Sequence, residues 1–171
     1  MVGLVHLYTG NGKGKTTAAF GLALRMVGRG KRVLIIQFMK GRPTGEVIAS
    51  KKLEPMLEVR QFGTPRFVDP KNPDEESVKM AKEGLELARR SMKSSYDLVV
   101  LDEVNVAVAF GLLDEGEVLE AIRGRNERVE VVLTGRYAPQ SFYEIADYVT
   151  EFREIKHPFT KGIKAREGVE Y

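Results

Sequence analysis

A glycine-rich stretch near the start of the chain contains residue types that bind phosphate. It reads Thr9-Gly10-Asn11-Gly12-Lys13-Gly14-Lys15-Thr16-Thr17 and lies between a short apolar run and a helical pattern. Glycines let backbone N–H groups converge on an anion, and the start of a helix adds free donors and the positive end of its dipole. Lys15 supplies a mobile positive charge, and the Thr16 hydroxyl is placed to ligate a phosphate-bound Mg²⁺. The stretch therefore predicts a site for a nucleoside triphosphate.

The spacing departs from the G-x-x-x-x-G-K-[ST] pattern at one position. Counting back from Gly14, Thr9 occupies the opening glycine position and Gly10 follows one residue later. The strand pattern before the stretch and the helical pattern after it still favour phosphate binding. We interpret the shifted glycine as the marker of a subfamily.

Two carboxylates follow the apolar run 98–101. Asp102 and Glu103 stand at the predicted end of that strand, where a carboxylate can hold Mg²⁺ beside a phosphate loop, directly or through water. The sequence alone does not choose between them as the metal ligand. Glu103 could also orient an attacking water, so these residues are equally consistent with hydrolysis. They indicate a Mg²⁺-nucleotide enzyme or switch.

A parallel sheet is needed to bring these residues together. Continuous or alternating apolar runs predict strands at 4–8, 33–38, 57–62, 98–101, 129–134 and 148–152, and helical patterns predict helices at 16–28, 75–95, 116–123 and 140–146. The alternating run 57–62 is expected nearer an edge. Short apolar strands separated by helices imply an α/β fold of three layers, with helices on both faces of a parallel sheet. Ligands of such sheets bind outside the carboxyl ends of the strands.

Other predicted strand ends add candidate residues. Gln37, Lys40 and Gly41 follow the second strand, where a role in capping a loop is about as well supported as nucleotide contact. Arg136 follows Thr134 and could contact phosphate. The polar segment 156–171 is expected to form a tail or a lid.

Composition limits the class of protein. A chain of 171 residues fits a single nucleotide-binding domain over 1–171. The net charge of +3, from 27 basic and 24 acidic side chains without a block of like charges, gives no argument for nucleic-acid binding. The chain has no cysteine, no secretory signal pattern and no apolar run long enough for a membrane. We therefore expect a cytoplasmic protein without nucleic-acid or membrane partners.

Several stretches together form a more specific pattern. They are Tyr8–Gly21, Gln37–Gly41, Leu101–Glu103 with Asn105, Val132–Arg136 followed by Ala138-Pro139, Glu154–Phe159, and Gly162–Ala165 with Gly168. The pattern resembles the P-loop-type ATP:corrinoid adenosyltransferase family and runs from the first strand to the carboxyl terminus. The first stretch and the Glu154–Phe159 stretch are the specific ones, because a generic ATPase has no reason to contain either.

The resemblance implies a fold, an activity and partners. Family members have a RecA-type P-loop fold and transfer the 5′-deoxyadenosyl group of ATP to a reduced cobalt(I) corrinoid, releasing triphosphate. ATP lies reversed, with the γ-phosphate deep in the loop. By that likeness ATP and the corrinoid are substrates, Mg²⁺ accompanies ATP, the protein is a homodimer, and a flavoprotein is a possible reductant.

The resemblance also implies roles for residues of this chain. Residues Gly10 to Thr17 would bind ATP, with Gln37 and Arg136 as further nucleotide contacts. Lys15, Thr16 and Glu103 would act in catalysis, and Thr16 with Asp102 or Glu103 would hold Mg²⁺.

The sequence differs from the family at two places. Members usually have a polar segment before the first strand and an aromatic pair that includes a Trp near the corrinoid. Here the first strand follows Met1-Val2-Gly3, the chain has no Trp, and Phe67 can stand for one aromatic. The alternatives are a P-loop ATPase or kinase, and a nucleotide-dependent binding protein, both without corrinoid chemistry.

Overall fold

The continuous apolar runs form the centre of the molecule. In the computed structural model, which describes residues 2–171, six strands all run parallel. Their order across the sheet is β3-β2-β4-β5-β1-β6. Their bounds are β1 Val5–Thr9, β2 Val33–Phe38, β3 Leu57–Phe62, β4 Leu98–Asp102, β5 Glu130–Thr134 and β6 Tyr148–Glu151. Strands β2 and β4 are buried along their whole length, as expected where both faces of a parallel sheet are covered.

Within residues 2–171, six α-helices connect and cover the strands. They are α1 Lys15–Val27, α2 Gly45–Ser50, α3 Glu75–Ser91, α4 Val104–Ala109, α5 Glu115–Arg123 and α6 Gln140–Ile145. Short 3₁₀ helices lie at Lys51–Leu53 and Pro158–Lys161. Asp74 and Asp114 start α3 and α5, because each side chain accepts a hydrogen bond from the amide three residues later.

The sheet separates two apolar cores. On one face, Val33 and Ile35 pack with Ala19 and Ala23 of α1. On the other, larger face, Leu34 and its neighbours pack with side chains of α3, α4, α5 and α6. Residues that alternate along a strand point to opposite faces, so each buried strand contributes to both cores. The three-layer α/β arrangement predicted from the sequence is confirmed.

Several element bounds differ from the sequence prediction. Helix α3 ends at Ser91 rather than at residue 95, because the chain turns through residues 92–95 after the buried Met92. The sequence did not predict helices α2 and α4, which have six residues each. Strand β3 is an edge strand, which confirms the prediction from its alternation.

The order of the strands brings the predicted chemistry to one edge of the sheet. Strand β5 lies between β1, which precedes the phosphate loop, and β4, which ends at Asp102. Among residues 2–171, the non-glycine residues with positive φ are Met39, Glu103 and Tyr137. All three follow the carboxyl ends of strands, so the strained backbone of this chain is concentrated where a ligand would bind.

Candidate nucleotide site

The phosphate loop, residues 9–17, is braced by the segment that follows β6. The Phe152 amide donates to the Thr9 carbonyl at 2.8 Å, and the Gly12 amide donates to the Phe152 carbonyl at 2.6 Å. A Cβ at Gly10, whose φ is +94°, would stand 2.5 Å from the Phe152 carbonyl oxygen. Thr9 is the last residue of β1 and pairs with Glu151. In this chain the loop passes closest to Phe152 at position 10, so the glycine is needed there, one position later than in the usual motif.

Lys15, the first residue of α1, points back into the loop. Its Nζ donates to the carbonyls of Gly10 at 2.7 Å and Gly12 at 2.8 Å, and the residue is 8% exposed. Burial lowers the pKa of Lys15 below its ordinary value, and the nearby Glu103 carboxylate opposes that shift. The result is an ammonium group held among the backbone groups of the loop, in the position where a phosphate would meet it.

Asp102 is fully buried and lies at the centre of a hydrogen-bonded cluster. Its Oδ1 accepts from the hydroxyls of Thr16 at 2.9 Å and Thr134 at 2.7 Å, and its Oδ2 accepts from Gln37 at 2.9 Å and Lys40 at 2.6 Å. Burial opposes ionisation of Asp102, but the Lys40 ammonium and the hydrogen bonds from Lys40, Thr134 and Thr16 together outweigh burial and hold the pKa of the carboxyl below its ordinary value. The Thr16 hydroxyl donates its proton to Asp102 and accepts from the Lys40 ammonium at 3.3 Å, so one lone pair of its oxygen remains for a cation.

Glu103 lies beside this cluster and faces the cavity. Its backbone is left-handed, with φ of 64°, and its amide donates to the Thr134 hydroxyl at 3.0 Å. Burial, together with the neighbouring Asp102 carboxylate, raises the pKa of Glu103 above its ordinary value. A cation bound next to Glu103 would favour its charged form.

A cavity of about 510 Å³ opens above the phosphate loop. Its wall carries four cationic side chains, Lys13, Lys15, Lys40 and Arg136, against three carboxylates, Glu46, Glu103 and Glu170. The Arg136 guanidinium also approaches the Asn11 carbonyl, at 3.4 Å. Remaining residues of the wall include loop residues 11–17, Thr44, Glu46, Glu103, His157, Val169 and Glu170. This arrangement suits a polyphosphate.

The carboxyl-terminal segment forms one wall of this cavity. The Lys13 ammonium donates to the Val169 carbonyl at 3.1 Å and to the Glu170 carboxylate at 2.9 Å. Arg166 binds the same carboxylate through its backbone amide, at 2.8 Å, and through its guanidinium. Hydrogen bonds from Arg166 and Lys13 lower the pKa of Glu170 to about 2. The last residues of the chain are thus attached to the phosphate loop.

The structure brings most of the predicted site residues together. Residues 11–17, Glu103 and Arg136 share the cavity wall. Gln37 does not reach it: the residue is fully buried, donates to Asp102 and accepts from Gln61 at 3.0 Å. Gln37 was predicted to contact the nucleotide, but its side-chain amide is hydrogen-bonded to Asp102 and Gln61 instead. These bonds give Gln37 a role in orienting the Asp102 carboxylate.

Sequence reasoning missed two features of the site. Glu170 gave no signal, since it is one acid in a polar tail, and only folding places it on Lys13. Asn105 matched a motif without an assigned role, and it is fully buried with its amide on the Gly135 carbonyl at 2.9 Å.

The residues present fit a Mg²⁺ ion that arrives with phosphate. Across residues 2–171 no group of three or more His, Asp or Glu side chains converges closely enough to hold a metal. Mg²⁺ commonly takes one or two protein oxygens and completes its octahedron with phosphate oxygens and water. The Thr16 hydroxyl and the Glu103 carboxylate, both on the cavity wall, are oxygens of the required kind.

The helices within residues 2–171 include none with the length and apolar character that a membrane span requires.

Comparisons with known proteins agree with this geometry. The family described as ATP:corrinoid adenosyltransferase BtuR/CobO/CobP matches residues 1–171. The corrinoid adenosyltransferase of Escherichia coli (strain K12) is 40% identical over 171 residues, covering 99% of this chain and 86% of that protein. Corrinoid adenosyltransferase CobA of Salmonella typhimurium (strain LT2) is 38% identical, with 99% and 86% covered. The corrinoid adenosyltransferase of Pseudomonas aeruginosa is 35% identical, with 99% and 84% covered.

A solved structure supports the fold. The crystal structure of the RadB recombinase superposes with a TM-score of 0.60 at 13% sequence identity, covering 92% of this chain and 77% of that chain. At that identity the likeness concerns the fold alone, which is the RecA-type P-loop NTPase fold. With the family match over its whole length and curated relatives at 35–40% identity, the chain belongs to the ATP:corrinoid adenosyltransferase BtuR/CobO/CobP family.

Proposed function

We propose that this chain transfers the 5′-deoxyadenosyl group of ATP to the cobalt of a reduced corrinoid and releases triphosphate. Membership of the family supports the activity. The observation that carries the proposal is the cavity above the phosphate loop, where Lys13, Lys15, Lys40 and Arg136 surround a space large enough for a triphosphate. A polyanion that leaves as a unit needs such a concentration of positive charge.

The proposed chemistry requires cations at this site and needs no general base. Cobalt(I) supplies an electron pair to C5′ of the ribose, the Co–C bond forms, and the C5′–O5′ bond breaks. The electron pair of the broken bond stays on the oxygen attached to the α-phosphate, so negative charge grows on the leaving triphosphate. No proton is transferred. The protein accelerates such a reaction by aligning the two substrates and by stabilising the leaving group.

The phosphate loop and the two carboxylates beside it have separate roles in this reaction. Backbone amides of residues 13–17 bind the phosphates, the Gly12 amide being engaged by Phe152, and the Lys15 ammonium neutralises the phosphate charge. Asp102, fixed by Lys40, orients the Thr16 hydroxyl. Thr16 and Glu103 would hold Mg²⁺, with Asp102 behind them, and the ion would add positive charge at the phosphates. Thr17 lies on the same wall and is a further phosphate contact.

A second cavity next to the first is the site that we propose for the corrinoid. It measures about 370 Å³ and shares Lys40 and Thr44 with the phosphate cavity, so the two are adjacent. Phe67 lies on its wall and is 88% exposed. An exposed aromatic ring next to a nucleotide site is suited to pack against a flat macrocycle. We place the corrinoid here, with its cobalt facing the ribose.

The remaining expectations concern the tail and the partners. We propose that residues 156–171 act as a lid on ATP, supported by the contact between Glu170 and Lys13. A homodimer, a cytoplasmic location and a flavoprotein electron donor are proposed from the family likeness, since cobalt(I) must be supplied by a reductant. Light scattering of the purified protein tests the dimer.

Product analysis tests the function. Incubation with MgATP and chemically reduced cobalamin, or an incomplete corrinoid, is expected to give a light-sensitive cobalt–carbon product and one triphosphate per product. Lys15→Ala is expected to lower the rate by at least about a hundredfold, because it removes a charge that acts on the leaving group. Lys31→Ala is the matched control, since Lys31 is exposed, pairs with Asp97 and is not among the residues that line the cavity.

The same assay separates the alternatives. Release of orthophosphate or a phosphorylated product without cobalt alkylation would identify an ATPase or a kinase. ATP binding without either product would identify a nucleotide-dependent binding protein. Failure with complete and incomplete corrinoids while ATP still binds would refute the proposed function.

A further inference from the structure

Asn105 is a buried amide that core packing does not explain. It is the second residue of α4, is fully buried, and donates from Nδ2 to the Gly135 carbonyl at 2.9 Å. Its Oδ1 has no hydrogen-bond partner within the part of the chain that the structure describes. A buried polar atom without a partner costs free energy, whereas an aliphatic side chain here would not. The bond to Gly135 is therefore the contribution that distinguishes an asparagine at this position.

That bond acts on the peptide unit that leads into Arg136. The carbonyl of Gly135 and the amide of Arg136 belong to one planar group, so fixing the oxygen fixes the direction in which the Arg136 backbone leaves β5. Gly135 has φ of +131°, and its own amide donates to the Tyr8 carbonyl at 3.1 Å. The turn is thus held from both sides, by β1 through Tyr8 and by α4 through Asn105.

A second bond runs beside the first. The Glu103 amide donates to the Thr134 hydroxyl at 3.0 Å. The turn after β4 and the end of β5 are therefore tied at two points, Glu103 to Thr134 and Asn105 to Gly135. Glu103 and Arg136, which both line the phosphate cavity, leave from these two tied segments. Their separation across the cavity depends on the two bonds.

We infer that Asn105 is a positioning residue for Arg136: its buried amide holds the Gly135–Arg136 peptide so that the guanidinium faces the triphosphate. The inference rests on the proposed function in one respect, the contact of Arg136 with phosphate. Asn105 itself lies behind the wall and touches no substrate.

Direct measurement of MgATP binding by calorimetry tests the inference without a corrinoid. Arg136→Ala is expected to raise the Kd by about 10- to 100-fold, the range for a charge-assisted hydrogen bond. Asn105→Ala is expected to raise it by a smaller factor, about 5- to 20-fold, because the guanidinium remains but is misplaced. In the Arg136→Ala background, Asn105→Ala is expected to change the Kd by less than about twofold.

Controls separate positioning from loss of stability. Val118→Ala removes packing from a fully buried residue of α5 away from the cavity, and is expected to lower stability without changing the Kd. Asn105→Leu keeps the branched shape of the side chain at a slightly larger volume and removes the donor, so it serves if Asn105→Ala does not fold. It is expected to weaken ATP binding in the same non-additive way.

Two results would overturn the inference: equal effects of the Asn105 variants with and without Arg136, or no effect of Arg136→Ala on ATP binding. The proposed function is tested separately by the cobalt–carbon product. If the non-additive pattern appears and no product forms, the inference stands and the proposed function fails. If product forms and the pattern is absent, the inference fails alone.

Discussion

Replacing Gly10 by alanine is expected to damage both stability and ATP binding. A Cβ at this position would lie 2.5 Å from the Phe152 carbonyl oxygen and 3.0 Å from the Phe152 amide nitrogen. Both are backbone atoms, which cannot rotate out of the way as a side chain can, so the hydrogen-bonded loop has to shift to make room for the Cβ. Movement of the loop would displace the amides that face the phosphates.

The size of the effect follows from two separate costs. The left-handed φ of +94° costs an L-residue about 1–2 kcal/mol. The steric conflict adds about 1–3 kcal/mol, as for an overpacked site. We therefore expect Gly10→Ala to lower the free energy of unfolding by about 2–5 kcal/mol, and ATP affinity to fall by at least about tenfold.

Two matched glycines isolate these costs. Gly14 also has positive φ, +117°, but its Cβ would approach only the Phe152 ring, at 3.4 Å, so Gly14→Ala should show the conformational cost alone. Gly21 lies inside α1 with no atom within 4 Å of the added Cβ, so Gly21→Ala should gain about 0.5–1 kcal/mol.

Urea unfolding and calorimetric ATP binding on the three variants provide the measurement. The reasoning is refuted if Gly10→Ala is no less stable than Gly14→Ala. That outcome would mean that contact with Phe152 is not what requires glycine at position 10.

Further predictions concern the tail and the core. Glu170→Gln is expected to tighten ATP binding a few-fold, because the carboxylate occupies Lys13, a cation of the phosphate cavity; weaker binding by calorimetry would instead mean that the carboxylate helps to hold the nucleotide. Since the pKa of Glu170 is lowered to about 2, the carboxylate keeps its charge, and its contact with Lys13, at pH 4 and loses both only as the pH falls through about 2. Titration of the Glu170 carboxyl carbon by NMR checks this, and a midpoint near 4.5 would contradict it. Gly84→Ala is expected to destabilise the protein by about 1–3 kcal/mol despite the better helix former, because the Cβ would lie 2.9 Å from the Phe38 ring and 3.0 Å from the Phe62 ring; chemical denaturation measures it, and a gain like that expected for Gly21→Ala would contradict it.

Strands were the most predictable elements of this fold. Strands β2 and β4 are apolar except for Gln37 in β2 and Asp102 at the end of β4, so burial on both faces of the sheet could be inferred from their composition. Helix α4 could not be predicted, because its start depends on the left-handed backbone of Glu103, which the neighbouring Thr134 stabilises. That contact joins residues 31 positions apart.

The candidate site was predictable in kind but not in its internal contacts. Residue types at strand ends indicated the loop, the carboxylates and Arg136, because parallel strands bring their carboxyl ends to one edge. Gln37 also stands at a strand end, but whether it faces a ligand or a buried carboxylate depends on which partners fold around it. Glu170 reaches Lys13 across 157 positions of sequence, a pairing that only the folded chain can make.

The bracing of the phosphate loop by Phe152 has a consequence for biosynthesis. Ribosomes release a chain from its amino terminus, so the loop emerges well before Phe152, the residue that braces it. A nascent chain that ends before β6 has the complete motif without the two backbone bonds that shape it. The nucleotide site is therefore completed only after β6 and Phe152 have been synthesised, and ATP is expected to stabilise only chains that have folded through that segment.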